Sequence, residues 1–213
     1  TLEQVGFEGT VLCEVNAQRS VEHLARVAHQ NQPPQLFHLG AMSIKLALGD
    51  ITRVLCDAIV NTSNTRLWLG GGVSGAIKRA AGPSLQPAMT AQAPLASGAV
   101  AVTSSYGLRN TDRILHVATA SGEADTVAAA IRAVLSWCEE HQAGSVAFPA
   151  LGTGTGGLSI EQCASLFIEG LSAHVEAGAK YPAEVILTLW TSTDMEVFRR
   201  LFQERLADLP HTP

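Results

Sequence analysis

No apolar run in the 213-residue chain approaches the ~20 residues that a membrane-spanning helix requires. The opening Thr1-Leu2-Glu3-Gln4 lacks the basic start and apolar stretch of a secretory signal. The four cysteines, Cys13, Cys56, Cys138 and Cys163, form no C-x-x-C pair, which excludes a metal clip of that type. Reduced, buried thiols are expected instead, and they suit an intracellular compartment, cytoplasmic or nuclear. The seven histidines show no H-E-x-x-H spacing, so neither a metal nor another cofactor is expected. The formal charge is −5 and no basic stripe offsets it. A general grip on DNA or RNA phosphates is therefore excluded, although a local positive pocket is compatible with that average.

What the chain does contain is apolar residues in a regular rhythm. Hydrophobic residues make up 46% of it and mean hydropathy is +0.18, enough for one sizeable core. Residues 8–15 read as a strand and residues 20–30 as a short helix capped by Ser20. The run Asn31-Gln32-Pro33-Pro34-Gln35 then breaks regular structure. Residues 1–36 are accordingly read as an extension or linker, and residues 37–213 as the folded domain, expected as a monomer. Strand-length apolar runs recur at 43–48, 57–61, 98–104, 113–118, 145–148 and 184–190. Helical periodicity covers 74–82, 124–141, 159–177 and 194–207, with a shorter candidate at 84–91. Ser159 and Gln162 have the spacing of a capping box. Such alternation predicts an α/β fold with a largely parallel sheet, whose ligands sit beyond the carboxyl ends of its strands.

Three loops follow predicted strands and carry unusual residues. The first is Gly49-Asp50-Ile51-Thr52, in which Asp50 either caps a turn or accepts a hydrogen bond from an exocyclic amine. The second runs from Asn61 and Asn64 to Gly70-Gly71-Gly72-Val73 and opens a helix. Its glycines permit close backbone approach, and the helix end presents unpaired N–H groups to an anion. The third, Leu151-Gly152-Thr153-Gly154-Thr155-Gly156-Gly157, also lies between a strand and a helix. It is not a P-loop, because no Gly-Lys-Ser/Thr ends it. It also lacks the acidic ribose clamp of a dinucleotide fingerprint. Two glycine-rich loops on one sheet edge suggest two walls of a single diphosphate site.

Four blocks, Gly49-Asp50-Ile51-Thr52, Asp57-Ala58-Ile59-Val60-Asn61-Thr62-Ser63-Asn64, Gly70-Gly71-Gly72-Val73 and Ala147-Phe148-Pro149-Ala150-Leu151-Gly152-Thr153-Gly154, resemble those of macro domains in order and spacing, over roughly residues 41–207. The resemblance implies a three-layer α/β/α sandwich around a mixed six-stranded sheet, and a partner that is ADP-ribose, free or on mono-ADP-ribosylated protein. It implies that Asp50 takes the adenine amine, Ile51 lends a backbone N–H, and Asn64 meets the distal ribose. Gly71, Gly72 and Val73 would wall the diphosphate on one side, with Gly152, Thr153, Gly154 and Thr155 on the other. Trp190, ending the last apolar run, resembles the ring that stacks on adenine, against the alternative of a core Trp. Two departures stand out. Ser74 occupies the place of an Asp that hydrolases of the MacroD type use with a bound water, and Gly156 takes the place of an aromatic ring near the distal ribose. A Ser hydroxyl is a weak base, so Asn64 and Ser74 are the candidate catalytic pair of an atypical site. Binding is the first reading. Hydrolysis of ADP-ribosyl-protein, or of an O-acyl or 1″-phosphate derivative of ADP-ribose, is the alternative.

Overall fold

The computed structural model describes residues 35–206, so the expected strand at 8–15 and helix at 20–30 lie outside the described residues. In chain order the elements are β1 (Gln35–Leu39), β2 (Met42–Leu48), a 3-10 turn at Ile51–Arg53, β3 (Ala58–Ser63), α1 (Gly72–Ala81), α2 (Leu85–Thr90), β4 (Val100–Ser104), β5 (Arg113–Ala118), α3 (Ala124–His141), β6 (Ser145–Pro149), α4 (Ile160–Glu176), β7 (Glu184–Leu189) and α5 (Ser192–Leu206). One sheet runs β1-β2-β7-β6-β3-β5-β4. Its centre, β2 to β5, is parallel throughout, and β1 and β4 close the two edges antiparallel.

The sheet has seven strands where the family resemblance gave six. The additional strand is β1, which pairs Gln35 through Leu39 with Leu46 through Met42. Its sequence, Gln-Leu-Phe-His-Leu, follows two prolines and lacks clean alternation, and Leu36 remains 54% exposed. An edge strand half open to solvent leaves little trace in a hydrophobic pattern.

Helices cover both faces. Against one, α3, α4 and α5 bury Val127, Ile131, Leu135, Phe167, Phe198 and Phe202 on Ile44, Val60, Phe148 and Leu187. Against the other, α1 and α2 bury Ile77, Ala81, Leu85 and Met89 on Ile59, Ile114, Ala147 and Ile186. The central strands are largely apolar on both sides, as a covered parallel sheet demands, apart from buried polar residues such as Asn61 in β3 and His116 in β5. Ser159 accepts from the Gln162 N–H, and Gln162 reaches back to Ser159, completing the expected capping box of α4. Cys56, Cys138 and Cys163 are buried free thiols, and burial pushes each up to about 12. Among the described residues, no helix is long and apolar enough to cross a membrane.

Candidate functional site

Because β2, β7, β6, β3 and β5 run the same way, the segments that leave their carboxyl ends share one edge of the sheet. Backbone bonds tie these segments together. The Gly49 N–H donates to the Leu189 carbonyl at 2.9 Å, which sets the first loop beside the end of β7. The N–H groups of Thr119 and Ala120 donate to the Ser63 carbonyl at 3.1 and 3.0 Å, which sets the exit of β5 beside the second loop.

At the β2 end, Asp50 caps the 3-10 turn. Its Oδ1 accepts from the Thr52 N–H at 3.0 Å and the Thr52 hydroxyl at 2.8 Å. The capping role and a ligand role are compatible, since only Oδ1 is engaged in the turn. Ile51 is buried beneath it. Trp190 follows β7 directly and is 58% exposed, so it is not a core residue. Trp137, by contrast, packs against the core and stacks on His141 at 4.4 Å.

At the β3 end, Asn64 folds its carboxamide back on its own loop. Oδ1 accepts from the N–H groups of Arg66 at 3.0 Å and Trp68 at 3.3 Å. The loop ends at α1, whose N-cap Gly71 offers no side chain and whose Gly72 sits at φ 55°. The N–H groups of Gly72, Val73 and Ser74 precede the first helical bond, Gly75 N–H to Gly71 carbonyl at 3.1 Å. A Cβ at Gly70, Gly71 or Gly72 would meet no atom within 4 Å, so this helix end faces open space.

The facing loop leaves β6. Gly152, at φ 76°, accepts from the Leu158 N–H at 3.1 Å and closes the turn. Thr153 donates its hydroxyl to the Ala150 carbonyl at 2.9 Å. Gly154 and Thr155 are exposed, and a Cβ on Gly154 would be unobstructed. Gly156 is different. A Cβ there would lie 2.6 Å from the Gly122 backbone, so the two loops touch without side chains between them. Gly122 has no counterpart in the expectations from sequence. A lone glycine before a helix gave no signal of a contact with a loop more than thirty residues away.

Ser74 does not point into the open edge. Its hydroxyl is buried, 2.8 Å from both Asn61 Oδ1 and the Thr62 carbonyl. Asn61 is a strand residue, fully buried in β3, rather than a residue of the following turn. Its Nδ2 donates to His116 Nδ1 at 3.0 Å, and His116 Nε2 lies 2.9 Å from the Thr103 hydroxyl. Burial lowers His116 to about 4, so the imidazole is neutral at pH 7. With Nδ1 accepting, the ring proton sits on Nε2 and meets Thr103. A chain of buried hydrogen bonds thus runs from β4 through β5 and β3 to the first turn of α1.

The family model for the macro domain matches residues 60–167, from β3 into the first half of α4. The chain belongs to the macro domain family. A macro domain-containing protein of Chlorobaculum tepidum is 35% identical over 156 residues, covering 71% of this chain and 90% of that protein. The bovine ADP-ribose glycohydrolase MACROD1 is 31% identical over 163 residues, 73% of this chain but 50% of the relative, so the chain spans half of that protein's length. A Trypanosoma brucei macrodomain solved in complex with ADP-ribose superposes with a TM-score of 0.69 at 27% identity, covering 74% of this chain and 68% of the other. In this macro domain the helix that opens after Gly70-Gly71-Gly72 therefore begins with a tethering hydroxyl, not a carboxylate.

Proposed function

We propose that this macro domain binds ADP-ribose, free or attached to protein, along the carboxyl edge of its sheet. One observation carries the reading: two glycine-rich loops, leaving β3 and β6, open side by side on that edge, and the first ends in the unobstructed N-terminus of α1. Unpaired N–H groups and a positive helix end suit a diphosphate. Gly71, Gly72 and Val73 form one wall, and Gly152, Thr153, Gly154, Thr155 and Gly156 the other. Asp50 Oδ2 and the Ile51 N–H meet adenine, with Trp190 stacked on the base. Asn64, its Oδ1 held in the turn, presents Nδ2 to the distal ribose.

Parallel calorimetric titrations with ADP-ribose, ADP and AMP test this assignment. Affinity should rise with each added part of the ligand; equal affinity for AMP and ADP-ribose would refute the two-wall site.

Hydrolysis is the second reading, favoured by the 31% identity to bovine ADP-ribose glycohydrolase. Against efficient turnover stands the Ser74 hydroxyl, turned into the sheet and hydrogen-bonded there. It supplies neither a negative charge nor a general base at the open edge. Release of ADP-ribose from an acidic-residue-linked substrate should be slow, and Ser74→Asp should raise it. Rapid turnover by the native chain would place water activation elsewhere.

A further inference from the structure

Every acidic side chain is missing from residues 58–111, although the chain as a whole carries −5. That stretch holds four cations, Arg66, Lys78, Arg79 and Arg109. Nineteen acids against fourteen bases overall leaves nineteen against ten outside it, so the rest of the chain stands at −9 and this stretch at +4. The acids that bound it, Asp57 and Asp112, precede β3 and β5 and so lie at the amino ends of those strands, the edge opposite the site.

Two of the cations lie on or against the loop that holds Asn64, and a third lies behind them along α1. The N–H groups of Arg66 and Trp68 both hang from Asn64 Oδ1. Trp68 is 60% exposed, and Lys78 Nζ stands 5.8 Å from its ring centroid. Arg79 lies back along α1, its Nη1 3.4 Å from where a Cβ on Gly75 would sit. The facing wall has the opposite sign: exposed Glu123 follows Gly122, which touches Gly156. A group leaving the distal ribose thus meets a cationic side and an anionic side.

We propose that the Arg66–Trp68–Lys78–Arg79 surface receives the protein segment that carries the ADP-ribose, and that it selects segments with acidic residues next to the modified one. The proposal rests on the ADP-ribose reading above and adds the class of carrier. Charge complementarity supplies the preference, and the exposed indole supplies apolar area for the carrier's backbone and side-chain stems. An extended peptide advances roughly 3.3–3.6 Å per residue. Four residues then span about the length of α1, at 1.5 Å rise per helical residue. A peptide is favoured over nucleic acid because a short acidic segment needs only this local patch, whereas a polynucleotide also meets the negative remainder of the domain.

The test uses the full chain and three ligands: ADP-ribose, a peptide bearing ADP-ribose through a hydrolysis-resistant link with Asp and Glu on both sides, and the same peptide with Ser and Gly there. The acidic peptide should bind about five- to tenfold tighter than the neutral one at low salt, with the gap closing at high salt. Arg66→Gln/Lys78→Gln should erase the gap while leaving affinity for ADP-ribose and for the neutral peptide unchanged. If ADP-ribose binds and the two peptides bind equally, the carrier proposal is overturned alone. It is also overturned if an ADP-ribosylated single-stranded oligonucleotide binds tighter than the acidic peptide and loses that advantage in the double variant. If the native chain does not bind ADP-ribose, the site reading falls first and this proposal with it.

Discussion

Toward α3, α4 and α5 the buried side chains of the sheet are mostly apolar, and the aromatic rings of Phe148, Phe167, Phe198 and Phe202 contact one another in series at 5.2 to 6.2 Å. Toward α1 and α2 the strands turn polar over their last residues. Asn61, His116 and Thr103 are buried there and joined to Ser74, and by strand alternation Ser63 and Thr188 lie on the same side. One face holds the sheet together by area and close packing. The other gives up part of that area to fix the direction of a helix end, which non-directional apolar contact does not specify.

The sharpest separation of the two faces comes from Phe167→Ala. Phe167 is fully buried, with Phe148 and Phe198 against it. Chemical denaturation should show a loss of about 3–5 kcal/mol, with ADP-ribose affinity of the folded protein unchanged. A matching affinity loss would mean that the apolar face also shapes the site.

A pH titration of stability isolates the polar face. His116 falls from 6.5 in the unfolded chain to about 4 in the folded one, owing to burial. Between those values the unfolded state binds more protons, so this contribution is full above pH 6.5 and drains away as pH falls toward 4. Its size is on the order of 3 kcal/mol. The native chain should lose that stability over this window, and His116→Gln should flatten the slope there. An unchanged slope in the variant would assign acid sensitivity to other groups.

Asp50→Ala should weaken ADP-ribose binding by about 1.5–3 kcal/mol, the scale of a hydrogen bond to a charged acceptor. Removing the cap from the 3-10 turn should cost about 1 kcal/mol in stability. A melting shift with undiminished affinity would reduce Asp50 to a cap.

The smallest expected effect belongs to Trp190→Leu, about 1–3 kcal/mol in affinity by analogy with base stacking on exposed aromatics. AMP and ADP-ribose should suffer alike, and ligand-induced quenching of tryptophan fluorescence should largely vanish. Quenching that persists would point to Trp68, the other exposed indole.

Much of this architecture can be read from the sequence because it rests on local rules. The helix over 124–141 coincides with α3, and the Ser159–Gln162 cap lies where its spacing predicts. The two glycine-rich loops are legible because glycine clusters between a strand and a helix are rare without a reason. What could not be read is long-range. Asn61 reads from the sequence as the point where an apolar run gives way to a loop, because Thr62 and Ser63, through which the strand continues, are polar. His116 stands in the apolar run Arg113–Ala118, and only the pairing of β5 with β3 and β4 shows that its two nitrogens have partners. Ser74 can be recognised from sequence as a substitution. That its hydroxyl turns inward is a matter of tertiary packing.

The bare contact between Gly122 and Gly156 bears on how this protein could be redesigned. The two positions behave as a single compound site. Installing a Phe or Tyr at 156, the ring that the family resemblance leads one to expect there, drives the new Cβ into the Gly122 backbone, and a side chain at 122 would run into the Gly156 carbonyl. Neither change can be accommodated by choosing a smaller partner, since both partners are already the smallest residue available. A route from this loop pair to the ringed form must therefore first part the two segments, by insertion or deletion in one of them, and place the aromatic afterwards. The order of the two steps is fixed by the backbone.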